Sequence, residues 1–157
     1  MVSLAPMDDL DRIMAVMQAA FEPRYGEGWT RAQVDNTLVL GNCHYILIDT
    51  DGNAPAPGVA AAGFALSRAT LDEEELLLFA VSPQWRRRGL GATLLNRLEK
   101  TARERGIIRI FLEMRDGNPA ESLYRYHGFA PVGRRPKYYR TSDGERIDAI
   151  TFARDMN

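Results

Sequence analysis

The apolar run Leu76 to Val81 gives way to Arg86-Arg87-Arg88-Gly89-Leu90-Gly91, after which Leu94, Leu95, Leu98 and Ala102 recur at helical spacing. A strand that hands the chain to a helix through a short glycine loop can fold in few ways. The first helical N–H groups are left unpaired, with the positive end of the helix dipole facing outward. Glycines remove the side chains that would hold an anion away, and arginines add charge-assisted donors, so this segment is suited to a phosphorylated ligand. A Walker loop reads Gly-x-x-x-x-Gly-Lys-Ser/Thr, whereas here one residue separates Gly89 from Gly91 and Ala92-Thr93 follows. Nucleoside triphosphatase chemistry is therefore disfavoured. The dinucleotide fingerprint fails too, because its third glycine is missing around Asn96 and Arg97. A basic turn at a helix start stays open as the plain alternative.

The rest of the chain supplies the elements around this loop. Leu10, Ile13, Met14, Met17 and Phe21 lie at helical spacing behind the acidic pair Asp8-Asp9, which predicts a first helix whose methionines fill the core. Pro23, Gly26 and Gly28 interrupt the pattern. Thr30 and Gln33 form a capping box for a shorter helix through Val39, in a stretch expected to be loosely organised. His44 to Asp49 and Gly58 to Ser67 read as a hairpin, and Glu74 to Val81 as a central strand covered on both faces. Gly106 is placed to end the helix after the glycine loop, and Ile107 to Arg115 follows as a strand. In it Ile108, Ile110, Leu112 and Met114 share one face, so Glu113 lies on the less apolar one. Asn118-Pro119-Ala120-Glu121 offers an N-cap, a proline at N1 and a glutamate at N3 for a short helix through Tyr126. Phe129 opens an extended segment, and Arg146 to Phe152 alternates as a last strand.

Composition narrows the function classes. A chain of 157 residues, 45% hydrophobic and 26% charged, is read as one globular domain over residues 1–157. A net charge of −1 gives no overall drive toward nucleic acid. Met1 to Pro6 lacks an export signal, and no stretch approaches the roughly 20 apolar residues of a membrane span, so a cytoplasmic location and no membrane partner are expected. One cysteine, Cys43, with His44 and His127, predicts neither a disulfide nor a metal site. Cys43 beside His44 is disfavoured as a nucleophile, because strand neighbours point to opposite faces.

The Arg-x-x-Gly-x-Gly loop after a strand resembles the pyrophosphate loop of the GNAT superfamily of N-acetyltransferases. The likeness extends through Leu112-Glu113-Met114-Arg115, Asn118, Leu123-Tyr124 and Gly128-Phe129 to Tyr138-Tyr139, Asp143-Gly144 and Asp148-Ala149. Within the superfamily these residues are most similar to the Rim-type ribosomal-protein alanine N-acetyltransferases, over about Glu73 to Ala149. The resemblance implies a mixed α/β domain with a central, mostly antiparallel sheet flanked by helices. It also implies acetyl-CoA as co-substrate and acetylation of a primary amine, with the N-terminal alanine of a small-subunit ribosomal protein as first choice. A small-molecule amine acceptor and a non-catalytic acyl-CoA-binding module are the alternatives.

Carried over residue by residue, the resemblance makes Glu113 the general base and Tyr124 the acid that protonates the departing thiolate. Such chemistry suits a glutamate near apolar Phe111, where a raised pKa is expected, and a phenol that stays protonated at neutral pH. Phe79, Ala80 and Val81 would hold pantetheine and acetyl through their backbone, with the Val81 N–H at the carbonyl. Arg86, Arg87, Arg88, Gly89, Leu90, Gly91, Ala92 and Thr93 would bind the pyrophosphate through backbone and side chain, and Asn118 the pantetheine arm. For three of these a structural role is the competing reading: a helix cap for Asn118, core packing for Tyr124, a surface ion pair with Arg109 or Arg115 for Glu113. Trp29, Tyr138 and Tyr139 are candidates for contacting the acceptor. The run Arg134 to Arg140, expected as a solvated loop, falls on the peptide side of the family comparison. Two departures bear on the acceptor. Ile147-Asp148-Ala149 replaces the family's Glu-Asp-Ala, and the segment Glu22 to Gly41, with its unusual Arg24-Tyr25-Gly26-Glu27-Gly28-Trp29, matches the family poorly.

Overall fold

The computed structural model describes residues 8–156. Helix α1 (Asp9–Ala20) starts where Asp8 accepts the Asp11 N–H at 2.7 Å and Asp11 reaches back to the Asp8 N–H. Thr30 and Gln33 form the same reciprocal cap on α2 (Arg31–Leu38), as their spacing predicts. Strands β1 (Cys43–Ile48), β2 (Gly63–Thr70) and β3 (Glu73–Val81) form an antiparallel meander. Helix α3 (Leu90–Glu104) carries the chain to β4 (Arg109–Arg115), the only strand parallel to its neighbour β3 among the described residues. After α4 (Glu121–Tyr126), β5 (Ala130–Arg140) and β6 (Arg146–Asp155) complete a sheet of order β1-β2-β3-β4-β6-β5. The expected mixed, mostly antiparallel sheet with flanking helices is what forms. No helix among the described residues is long and apolar enough to cross a membrane.

Two apolar clusters lie on opposite faces. Alternate residues of β2 divide between them: Phe64 and Leu66 pack with Ile13, Val16 and Met17 of α1, whereas Ala65 packs with Leu94, Leu95 and Leu98 of α3. Each of those leucines is at most 1% exposed, and burying one contributes about 1.5–3 kcal/mol.

Several boundaries differ from the sequence reading. Strand β2 begins at Gly63 rather than Gly58, because the preceding loop is tied down by a side chain instead of a ladder. The buried Arg12 guanidinium donates to the carbonyls of Val59 (2.8 Å) and Ala56 (2.9 Å). Strand β4 begins at Arg109, since Ile107 turns into the core after Gly106 and leaves Ile108 54% exposed. The segment 134–140 is not a loop. It belongs to β5, which pairs with β6 across an irregularity between Arg135 and Tyr139. There Lys137 adopts φ 54°, and its N–H donates to the Asp148 carboxylate at 2.8 Å, a side chain standing in for a ladder carbonyl.

One irregularity in β3 shapes everything that follows. Ser67 faces Leu76 and Leu66 faces Leu78, so Leu77 is an extra residue, a β-bulge. Pairing of β3 with β4 stops at the same place, at Leu76 opposite Leu112. Beyond it the two strands part.

Candidate active site

The parting of β3 from β4 opens a cleft of about 380 Å³, with Phe79, Ala80 and Val81 on one wall and Asn118 and Tyr124 on the other. Backbone geometry gives the direction of the free amides. Ser82 N–H donates to the Ala62 carbonyl of the β2 side at 2.8 Å, and the Ala80 carbonyl points the same way, since a Cβ on Gly63 would lie 2.9 Å from that oxygen. A planar trans peptide then aims the Val81 N–H to the opposite side, where β4 has withdrawn. The strand itself was expected from sequence. The bulge that strips it of a partner has no compositional signal.

At the mouth of the cleft, Gly89 takes φ 78° as the N-cap of α3, and no side chain caps that terminus. The amides of Leu90, Gly91 and Ala92 therefore lack helical partners, and Leu90 and Gly91 line the cleft. Gly91 also allows close packing, since a Cβ there would lie 3.1 Å from Leu123. These open amides at a positive helix end suit a diphosphate. Thr93 differs from its expected role: both its N–H and its hydroxyl donate to the Gly89 carbonyl, each at 3.1 Å.

The three arginines, read together in the sequence, take separate positions. Arg87 lines the cleft with φ 63°, a left-handed conformation that L side chains rarely adopt. Arg88 lies against the Trp85 ring, 5.1 Å from its centroid. Arg86, expected to grip the pyrophosphate by its side chain, also borders the cleft but directs its guanidinium to backbone, donating to the Val81 carbonyl at 3.1 Å and the Ala20 carbonyl at 3.3 Å.

Tyr124 is buried, with the rings of Phe79 and Phe129 each 5.8 Å away in edge contacts. Burial, with a smaller contribution from Glu27, raises its pKa above the ordinary phenol value of 10.0, so it remains a proton donor. Its hydroxyl has no hydrogen-bond partner among the described residues. Asn118 does not cap α4 as an N-cap residue. The helix begins at Glu121, and Asn118 forms a turn ahead of it, its Oδ1 accepting the Ala120 N–H at 2.9 Å. Its amide NH₂ is what it can offer the cleft.

Glu113 does not border the cleft. It pairs with Arg135 at 3.3 Å, not with Arg109 or Arg115, and lies close to Tyr139, whose pKa is pushed up to about 12 by burial and then by Glu113. Tyr138 stacks edge-on against Tyr139 and is 51% exposed. Trp29 stands away from the cleft against the α1 cluster, its backbone N–H directed at the Met17 sulfur.

The segment expected to be loosely organised forms the remaining wall. Arg115 donates to Glu27 at 3.0 Å and stacks 3.6 Å over the Tyr25 ring, while Arg24 pairs with Glu145 at 2.6 Å and accepts the Ser142 N–H on its carbonyl. Tyr25, Glu27 and Arg115 all line the cleft and were not among the candidates. For Tyr25 and Glu27 the only signal was the poorly matching Arg24 to Trp29 stretch, whereas Arg115 closes the Leu112-Glu113-Met114-Arg115 motif. Cys43 and His44 border a separate hollow with Arg105. No group of three or more potential metal-ligating side chains converges among the described residues.

A sequence model described as the acetyltransferase (GNAT) family matches residues 10–129. The [ribosomal protein bS18]-alanine N-acetyltransferase of Escherichia coli K12 is 42% identical over 93 residues, which cover 59% of this chain and 62% of that relative, less than two thirds of its length. A Bacillus subtilis protein provisionally given the same name is 28% identical over 141 residues, covering 88% of this chain and 85% of its own. The crystal structure of the ribosomal-protein-S18-alanine N-acetyltransferase from Escherichia coli superimposes with a TM-score of 0.77 at 29% identity, over 98% of this chain and 92% of that one.

Proposed function

The chain belongs to the acetyltransferase (GNAT) family, and from that premise we propose that it transfers acetyl from acetyl-CoA to the N-terminal α-amine of a small-subunit ribosomal protein that begins with alanine. One observation carries the reading: a bulged strand turns unpaired amides into a cleft that also holds a buried, protonated tyrosine and opens onto an uncapped helix N-terminus.

The unpaired amides of Leu90, Gly91 and Ala92, with Arg87, hold the diphosphate. Phe79, Ala80 and Val81 align the pantetheine arm along the free edge of β3, and the Asn118 amide donates to it. Acceptor residues run past Tyr139, Tyr138 and the Tyr25–Glu27 wall. Glu113 takes the proton of the incoming ammonium through water. The free amine attacks the thioester carbon while the Val81 N–H stabilises charge on the carbonyl oxygen. The C–S bond then breaks and Tyr124 gives its proton to the sulfur, while the nitrogen sheds the second proton it carries after attack, which restores the phenol, yielding CoA thiol and an acetylated amine. Such an enzyme works where ribosomal proteins are made, so a cytoplasmic location goes with the assignment.

Mass spectrometry of a peptide carrying the bS18 N-terminus, incubated with enzyme and acetyl-CoA, tests the proposal. One added acetyl group on the α-amine is expected, and none overturns the choice of acceptor. A small-amine acceptor is the second reading, favoured by Ile147, paired with Tyr139, where the resemblance has a carboxylate. Turnover of polyamines or free amino acids in preference to the peptide would establish it.

A further inference from the structure

Arg86 sits where two elements leave carbonyls without partners. The Val81 carbonyl faces the gap from which β4 has withdrawn, and the Ala20 carbonyl ends α1, whose last turn carries no basic residue. The Arg86 guanidinium answers both, with Nε on Val81 and Nη2 on Ala20. A cation at the end of α1 also meets the negative end of that helix dipole. The peptide joining Val81 to Ser82 is thereby held at both edges, by Arg86 on its carbonyl and by Ala62 on its N–H. That fixes the backbone of Val81, and with it the direction of the Val81 N–H on the preceding peptide.

We infer that Arg86 is a positioning residue for the thioester carbonyl, acting through Val81, and so differs from Arg87, which holds the diphosphate in the function proposed above. The assignment rests on the acetyl-CoA reading above. It separates two neighbours that the loop motif treats alike and that both border the cleft: the Arg86 guanidinium bridges a strand end to a helix end and so sets geometry, whereas that of Arg87 makes no such bridge and is left to add binding energy.

The test compares Arg86→Ala, Arg86→Lys and Arg87→Ala. Each is assayed for kcat, for the KM of acetyl-CoA, and for calorimetric affinity for acetyl-CoA. The infrared carbonyl band of bound acetyl-CoA labelled with ¹³C at the thioester carbon is recorded alongside. For Arg86→Ala, kcat should fall at least about tenfold while KM and affinity change less than about threefold, since an interaction aimed at developing charge is lost. The labelled band should move toward its position in water. Arg86→Lys keeps the charge at the end of α1 but cannot span both carbonyls with one ammonium, so it should recover only part of the loss. In Arg87→Ala the effect should fall on KM and affinity, by about tenfold for a charge-assisted contact, with the band in place. If Arg86→Ala instead weakens acetyl-CoA as Arg87→Ala does, with kcat and the band unmoved, the assignment is overturned. Should Arg86→Ala fail to fold, Arg86→Lys carries the same comparison. No binding of acetyl-CoA by the wild-type chain would overturn the proposed function itself, and this inference with it.

Discussion

Replacing Tyr124 by Phe removes one hydroxyl from a side chain that is 6% exposed and leaves its ring between Phe79 and Phe129. No hydrogen bond to that hydroxyl is broken among the described residues, so stability should change by less than about 1 kcal/mol, below the cost of orphaning a buried partner. The acid-catalysed step should be lost almost alone. General acids typically contribute about 100-fold or more, so kcat should fall by at least that factor, about 2.7 kcal/mol on the barrier, with the KM of both substrates little changed. In the wild type the pKa lies above 10.0, so Tyr124 stays protonated through the neutral range and gives kcat no alkaline limb below that pH. A continuous assay of released CoA thiol, run beside a denaturant titration, reads both quantities. Tyr124→Phe that stays folded and keeps more than about half of kcat would show that the phenol does not protonate the thiolate. A stability loss above about 2 kcal/mol would instead show that the hydroxyl holds the wall of the cleft together.

Gly63→Ala should destabilise the fold by about 1–3 kcal/mol and lower activity, because its Cβ would press to 2.9 Å from the Ala80 carbonyl, where backbone must move; thermal melting and turnover measure it. Arg115→Leu should cost up to about 3 kcal/mol by leaving Glu27 in a largely buried position without its partner, and a double-mutant cycle with Glu27→Gln should recover part of that loss. An additive cycle would show that the pair is not coupled. Asp148 has a pKa held below 3.8 by the Lys137 N–H and by Arg134. Its contribution is thus complete above that ordinary value and is lost as pH falls through the depressed one. Asp148→Asn should flatten the acid arm of a stability-against-pH curve, and an unchanged acid arm would remove this role.

Much of the fold could be read along the chain because its signals are local. The capping pairs Asp8–Asp11 and Thr30–Gln33 need only neighbouring residues, and Leu94, Leu95, Leu98 and Ala102 of α3 bury the face that their spacing marks. Two of the misplaced boundaries share one cause. At Gly63 the long-range bonds of Arg12 took the place of a ladder, and at Lys137 the Asp148 carboxylate did so, neither of which leaves a periodic trace. The site was legible as far as motifs reach: the glycine loop, Asn118 and Tyr124 do gather around one cleft.

Amino-acid order alone determined which residues carry charge, glycine freedom and helical or strand period, and therefore where an anion-binding helix end must lie. Tertiary structure decided which face of the cleft each of them serves. It committed the Arg86 guanidinium to two orphaned carbonyls and not that of Arg87, paired Glu113 with Arg135, and drew Glu27, 88 positions away, and Tyr25 to Arg115. The cleft opens where a single extra residue, Leu77, coincides with the end of β3–β4 pairing, because hydrogen-bond partners are settled by which groups remain unpaired once the sheet has formed.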